Sequence, residues 1–185
     1  GVVGIDTRQS LGAYSERYLS WRTDLGVPFA LAIMDLLDDH SDPPRDWQWN
    51  LSFPRELESG IDEDGAGFTL VDPEKGTLHG RFLVDIPPQL EVAEMPASSR
   101  TFSNGKKVDY PGDRYIHARF PSWSKARILL VLAIVPPGKA APEIHFRDNA
   151  AFINGQEWNH PFFPAILKSV DLAQSAPNRM TRPAG

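Results

Sequence analysis

Every second residue from Trp47 to Phe53 is large and apolar, and the residues between them are polar. Successive side chains on a strand point to opposite faces, so Trp47, Trp49, Leu51 and Phe53 line one face while Asp46, Gln48, Asn50 and Ser52 line the other. This spacing predicts a half-buried β-strand. The alternation recurs from Thr77 to Val84, where Leu78, Phe82 and Val84 share a face, and again from Tyr115 to Phe120. A chain of such segments builds an all-β fold, here an antiparallel two-sheet β-sandwich of the supersandwich kind with little helix. Its polar faces are left to carry function.

Further strands are predicted over Tyr14 to Trp21 and over Phe29 to Leu37. In the second of these, Ala, Leu and Met favour helix, but the length and the flanking turns favour a buried strand. The run from Ala126 to Val135 is apolar on both faces and therefore central. Gly67 to Val71 should pair with Thr77 to Val84 across the turn ending in Gly76, since a short Gly-ended connection between alternating runs signals a hairpin. Short strands are expected over Leu90 to Ala93, Glu143 to Phe146 and Ala151 to Ile153, with a type I′ turn at Asn154-Gly155. Glu58 to Gly65 reads as a polar, acidic connection, and Pro96 to Gly112 as a long, weakly structured loop.

Length and charge narrow the picture. The 185 residues suit one domain, with residues 1–172 forming a single sandwich and 173–185 a frayed tail. A net charge of −5 argues against sequence-independent nucleic-acid binding, which needs clustered Lys and Arg. The longest apolar run, Ile128 to Val135, is far short of the roughly 20 residues that cross a bilayer as a helix. With no cysteine, disulfides, thiolate metal sites and cysteine nucleophiles are excluded. The start at Gly1-Val2-Val3-Gly4, without an initiator Met or a signal pattern, points to a processed or excised piece.

The succession Arg17-Tyr18-Leu19-Ser20-Trp21, Phe29 to Asp35, Asp38-Asp39-His40, Trp47 to Leu51 and then Ile128 to Pro136 resembles the C-terminal β-sandwich of heparinase II/III-like polysaccharide lyases, which include oligoalginate lyases. The resemblance runs from about Tyr14 to Trp158. It implies an acidic polysaccharide or oligosaccharide as substrate, β-elimination as the reaction, no cofactor, and a periplasmic or secreted location. It also implies an α-helical toroid, as domain or subunit, that supplies most catalytic residues. None of that toroid is in this sequence, and where some members carry a histidine near the end of the aromatic strand this chain has Asn50-Leu51-Ser52-Phe53. A carbohydrate-binding or structural module without catalysis is the alternative, and an assembly subunit a third reading.

Within that frame, Tyr115 and His117 are the first candidates for catalysis. In β-elimination, cations and hydrogen-bond donors neutralise the uronate carboxylate, a His or Tyr removes the proton on C5, and a Tyr can protonate the departing oxygen. His79 and Arg81 share the polar face of one predicted strand, and Tyr115, His117 and Arg119 that of another. Pairing of those two strands would gather all five around an anionic sugar; ordinary cross-strand polar pairs are the competing reading. Arg100, Lys107 and Tyr110, in a loop that also carries Phe102, complete the candidate substrate-binding set, because cations suit carboxylate or sulfate and flat rings stack on sugars. Asp38, Asp39, His40 and Asp42 could offer oxygen ligands to a hard cation, as could Asp62, Glu63 and Asp64, but a solvated turn and an exposed loop are the readings adopted, and no metal site is assigned. His145, Trp158 and His160 are read as structural.

Overall fold

The computed structural model describes residues 2–6, 14–39, 46–84, 86–110, 112–122, 125–147 and 150–158. His40, Asp42 and His160 lie outside them, as does the expected tail. The strands are β1 (Val2–Asp6), β2 (Tyr14–Arg22), β3 (Phe29–Asp38), β4 (Trp47–Phe53), β5 (Glu58–Ile61), β6 (Gly67–Asp72), β7 (Gly76–Leu83), β8 (Gln89–Glu94), β9 (Ser98–Thr101), β10 (Lys107–Tyr110), β11 (Arg114–Phe120), β12 (Lys125–Val135), β13 (Ile144–Arg147), β14 (Ala150–Ile153) and β15 (Gln156–Glu157). Every pairing among them is antiparallel, and the described residues contain no helix.

A seven-stranded sheet, ordered β1-β2-β3-β12-β7-β6-β5, forms the centre. β12 lies between β3 and β7, as its two-sided apolar run requires. Its Ile128, Leu130 and Leu132 enter one core, with Phe68, Leu70 and Phe82 of the same sheet and with Trp49, Phe53, Ile116, Ala118 and Phe120 of the three-stranded sheet β4-β11-β8. These two sheets are the expected sandwich. Leu129, Val131 and Ala133 point the other way, into a second core with Leu25, Met34, Ile153 and Trp158. There the small sheet β13-β14-β15 covers the opposite face, which makes a third layer.

Aromatic packing dominates the first core. Phe82 meets Trp49 edge-on at 5.4 Å and Phe120 at 5.5 Å between ring centroids. Gly80, two residues earlier on the same face of β7, makes room for this cluster, because a Cβ there would run into the Phe68 ring. In the second core the Trp158 indole N–H donates to Ser20 Oγ at 3.1 Å, satisfying two polar groups buried to 2% and 0% exposure.

The predicted hairpin between Gly67 and Val84 forms with Asp72 opposite Gly76. At Asn154-Gly155 both residues have positive φ, 51° and 73°, as a type I′ turn demands. Three segments differ from expectation. Val2–Asp6, where no strand is predicted, is the edge strand β1, paired to β2. Glu58–Ile61 is the edge strand β5, paired to β6; the hydrogen-bonding capacity of β6 outweighed a polar sequence. The expected loop from Pro96 to Gly112 contains the hairpin β9-β10. Its strands expose nearly every side chain, so no apolar alternation marked them.

Candidate functional site

The outer face of β4-β11-β8 is polar because each of its strands spends alternate positions on the core. β11 is the middle strand, and the register sets His117 between Asn50 and Glu91, Tyr115 between Ser52 and Ala93, and Arg119 between Gln48 and Gln89. Tyr115, His117 and Arg119 therefore form one row, with steps of about 7 Å. His117 is buried to 9% exposure although it lies on the outer face. Its Nδ1 is 2.7 Å from Asn50 Oδ1. With the amide oxygen facing the ring, Nδ1–H is the donor, the arrangement that leaves Nε2 as the ring nitrogen turned to other partners. The Tyr115 ring stands edge-on to the imidazole at 6.0 Å and 83°.

These groups line a cleft of about 320 Å³ together with Gln48, Ser52, Glu94, Met95 and Pro96. A second depression of about 360 Å³ continues past Arg119, with Asp46, Gln89, Ile86 and Phe120 in its wall. The pair Tyr115 and His117 was legible from alternation. Asn50, which orients the histidine, was placed only on a polar face, since its partner depends on register.

His79 and Arg81 do not join this row. β7 hydrogen-bonds to β6 and β12 on its two sides, so it offers no edge to β11, and the expected meeting of the two polar faces does not occur. Both side chains point to the face of the central sheet that carries the second core. Arg81 is held by Asp62 at 3.3 Å and by Asp64, which answers what the acidic loop Asp62-Glu63-Asp64 does. Arg81 also borders a cleft of about 440 Å³ with Asp64, Arg127, His145 and Phe146. The His145 ring stacks on Phe152 at 5.1 Å and 5°. Asp39, expected in a solvated turn, is buried to 2% exposure.

Burial holds the His79 imidazole below the ordinary histidine range, against the opposing pull of Asp62. The unfolded chain then takes up a proton at higher pH than the folded one, so His79 costs stability as pH falls through its unfolded value near 6.5. His79→Gln should flatten the acid side of the stability profile between neutral pH and about pH 5. Urea midpoints across that range provide the measurement, and an unchanged slope would refute the assignment.

Arg100, Lys107 and Tyr110 lie on the β9-β10 hairpin, but not on one face. Arg100 opposes Val108 and Tyr110 opposes Ser98, while Lys107 opposes Thr101. Alternation thus puts Arg100 with Tyr110, and Lys107 with Asp109, to which it is ion-paired at 3.3 Å. The Arg100 guanidinium sits 5.2 Å from the Phe102 ring centroid. The hairpin continues the register of β8 and β11 without a slip, since Arg114 opposes Glu94 as Tyr110 opposes Ser98. It leaves the sheet at the Tyr115 end of the cleft. Arg55 braces that neck, donating to the Gly112 carbonyl and pairing with Glu94 at 2.7 Å.

No family model matches this chain, and no curated protein matches it in sequence. Solved structures do. The heparan sulfate lyase HepC from Pedobacter heparinus aligns with 84% of the chain at TM-score 0.60 and 11% identity, over 25% of its own length. The heparinase III product of BT4657 aligns over 84% of the chain and 24% of itself at TM-score 0.57 and 10% identity. A further heparinase III does so over 84% and 24% at 0.51 and 13%. At these identities the likeness is one of fold. The chain has a heparinase-domain-like β fold and spans about a quarter of the length of those enzymes. No helix of the described residues is long and apolar enough to cross a membrane.

Proposed function

We propose that this chain is a β-domain of a polysaccharide lyase acting on uronate-containing glycans by β-elimination, and that the outer face of β4-β11-β8 is one wall of the substrate cleft. The observation that carries it is the Asn50–His117–Tyr115 arrangement, an oriented and nearly buried imidazole beside a phenol in an open cleft, on a fold similar to that of heparinase III. In this reading Nε2 takes the C5 proton; as the C4–O bond breaks and the C4–C5 double bond forms, the Tyr115 hydroxyl gives a proton to the departing oxygen. Arg119 supplies a cation for a neighbouring carboxylate, and Gln48 and Gln89 supply amides for sugar hydroxyls. A helical toroid, as domain or subunit, would bring the remaining carboxylate-neutralising groups, and the location would be periplasmic or extracellular, where such glycans are met.

One observation favours a binding-only wall. Among the outer-face positions paired across these three strands, Arg119 is the single cation, and Glu91 faces His117. That is sparse positive charge for stabilising a developing carbanion.

The polypeptide carrying this chain should be assayed on heparan sulfate, alginate and glucuronan for unsaturated uronate products, which absorb in the near ultraviolet, alongside affinity electrophoresis. His117→Ala should lower kcat by about 10²–10⁴-fold with little change in KM, the range expected for a lost general base. Weakened affinity with unchanged kcat would establish the binding-only wall. Unchanged kcat and unchanged affinity would remove the site altogether.

A further inference from the structure

The β9-β10 hairpin leaves both of its faces open to water, yet its side chains are sorted between them. Beyond the last strand pair the Phe102 N–H donates to the Lys106 carbonyl at 2.9 Å, which sets Phe102 opposite Lys106 in the same register. One face therefore carries Arg100, Phe102, Lys106, Val108 and Tyr110, and the other Ser99, Thr101, Lys107 and Asp109. The second face is small and closed on itself, since Lys107 and Asp109 form an ion pair. The first holds two cations and two rings, Phe102 exposed to 38% and Tyr110 to 45%. Among the described residues neither Arg100 nor Lys106 has a carboxylate partner; the Arg100 guanidinium lies over the Phe102 ring instead. Tyr110 stands about 13 Å along the strand from Lys106, so the rings flank the cations. Burial did not select this sorting, because neither face is buried.

We infer that the ring-bearing face of this hairpin is a second glycan-binding surface, on which an acidic polysaccharide stacks its sugars against Phe102 and Tyr110 while Arg100 and Lys106 pair with its carboxylates or sulfates. The choice of a glycan among polyanions rests on the lyase reading proposed above. Charge complementarity supports the occupant: residues 98–110 carry three cations against one carboxylate, in a chain whose net charge is −5. A polyanion repelled by most of the surface is accepted here. Rings beside cations suit a sugar acid, which presents an apolar ring face with a charged rim. The tip, Ser103-Asn104-Gly105, is polar and therefore unsuited to entering a bilayer. The surface is separate from the His117 row, because the unbroken register gives Arg100 and Tyr110 the parity of Ile116 and Ala118, on the reverse of the sheet from Tyr115. Arg55 holds the neck through the Gly112 carbonyl, and the Met95 N–H donates to the Asp113 carbonyl at 2.7 Å, so the arm keeps a fixed direction from the cleft. A long chain engaged in the cleft is then held at a second point, which raises its affinity without any new contact in the cleft.

Affinity electrophoresis of the polypeptide carrying this chain, through gels containing heparan sulfate, alginate or glucuronan, tests the surface. Arg100→Ala combined with Lys106→Ala should weaken binding to the retained polymer about five- to tenfold, the loss of two exposed ionic contacts. Tyr110→Ala should weaken it about two- to fivefold, for one exposed ring. Adding Ser99→Lys and Thr101→Lys to the double variant restores the net charge on the opposite face and should leave binding weak. Full recovery would overturn the inference, since net charge alone would then suffice. So would unchanged affinity of the alanine variants for all three polymers, or a loss seen only with polyglutamate, which identifies an acidic protein, or only with phosphatidylserine vesicles, which identifies a lipid surface. If His117→Ala alters neither turnover nor affinity while the hairpin variants lose polymer binding, the cleft reading fails and the hairpin surface stands. If His117→Ala lowers kcat and the hairpin variants bind as the parent does, the hairpin surface fails alone.

Discussion

Phe82→Ala is expected to lower the unfolding free energy by about 3–5 kcal/mol, the cost of removing a large buried aromatic and leaving a cavity. The ring is buried to 2% exposure and is the hub of the aromatic core. It touches Trp49 at 5.4 Å and Phe120 at 5.5 Å edge-on, with Phe68 tilted at 6.4 Å. Trp49 and Phe120 belong to β4 and β11, so the cavity opens directly beneath the strands that carry Asn50 and His117. The loss of stability should therefore be accompanied by weaker glycan affinity even where the chain remains folded. Urea unfolding gives the first quantity from a lower midpoint at unchanged slope. A loss under about 1 kcal/mol, below the range for such truncations, would mean that the rings do not interlock as described.

Trp158→Ala should cost a similar amount, again about 3–5 kcal/mol for a buried aromatic, but with a different accompaniment. Trp158 belongs to the second core, on the opposite face of the central sheet, and its indole N–H holds the hydroxyl of Ser20. Truncation leaves both a void and a buried hydroxyl without its partner. Trp158→Phe retains most of the volume and removes the hydrogen bond, so it should cost less than the alanine variant, with about 1–3 kcal/mol assigned to the stranded Ser20 group. Because the His117 cleft lies beyond the other core, glycan affinity of the folded Trp158→Ala protein should equal that of the parent. Equal stability of the Phe and parent proteins would show that the indole–hydroxyl bond contributes nothing.

The pH response of His79 belongs with these stability effects rather than with the site. Burial lowers its affinity for protons, and the ring points away from the cleft, so its titration should change unfolding and leave glycan binding alone.

Much of the architecture was written in the alternation of side chains. Trp47–Phe53 and Arg114–Phe120 are strands over the expected residues, because an every-second-residue pattern has one low-energy reading: a ribbon dry on one side. The two-sided apolar run of β12 specified a central strand for the same reason, and Asn154-Gly155 specified its turn through two positive φ angles. Local pattern likewise put Tyr115, His117 and Arg119 on one wet face. It could not place β5 or the β9-β10 hairpin, whose side chains gain little from burial and whose strands exist through backbone pairing.

What tertiary structure alone decided is which ribbon lies beside which. Strand pairing between β11 and β4 brought Asn50 to His117, while the pairing of β7 with β6 and β12 carried His79 and Arg81 to the far side of the central sheet. Alternation acts between residues two apart and is legible in any short window; register joins residues as distant as Asn50 and His117, and it is chosen by the packing of the whole core. The sequence by itself thus determined which face of its ribbon each side chain takes, and the folded sheet order determined which side chains meet and which of them water reaches.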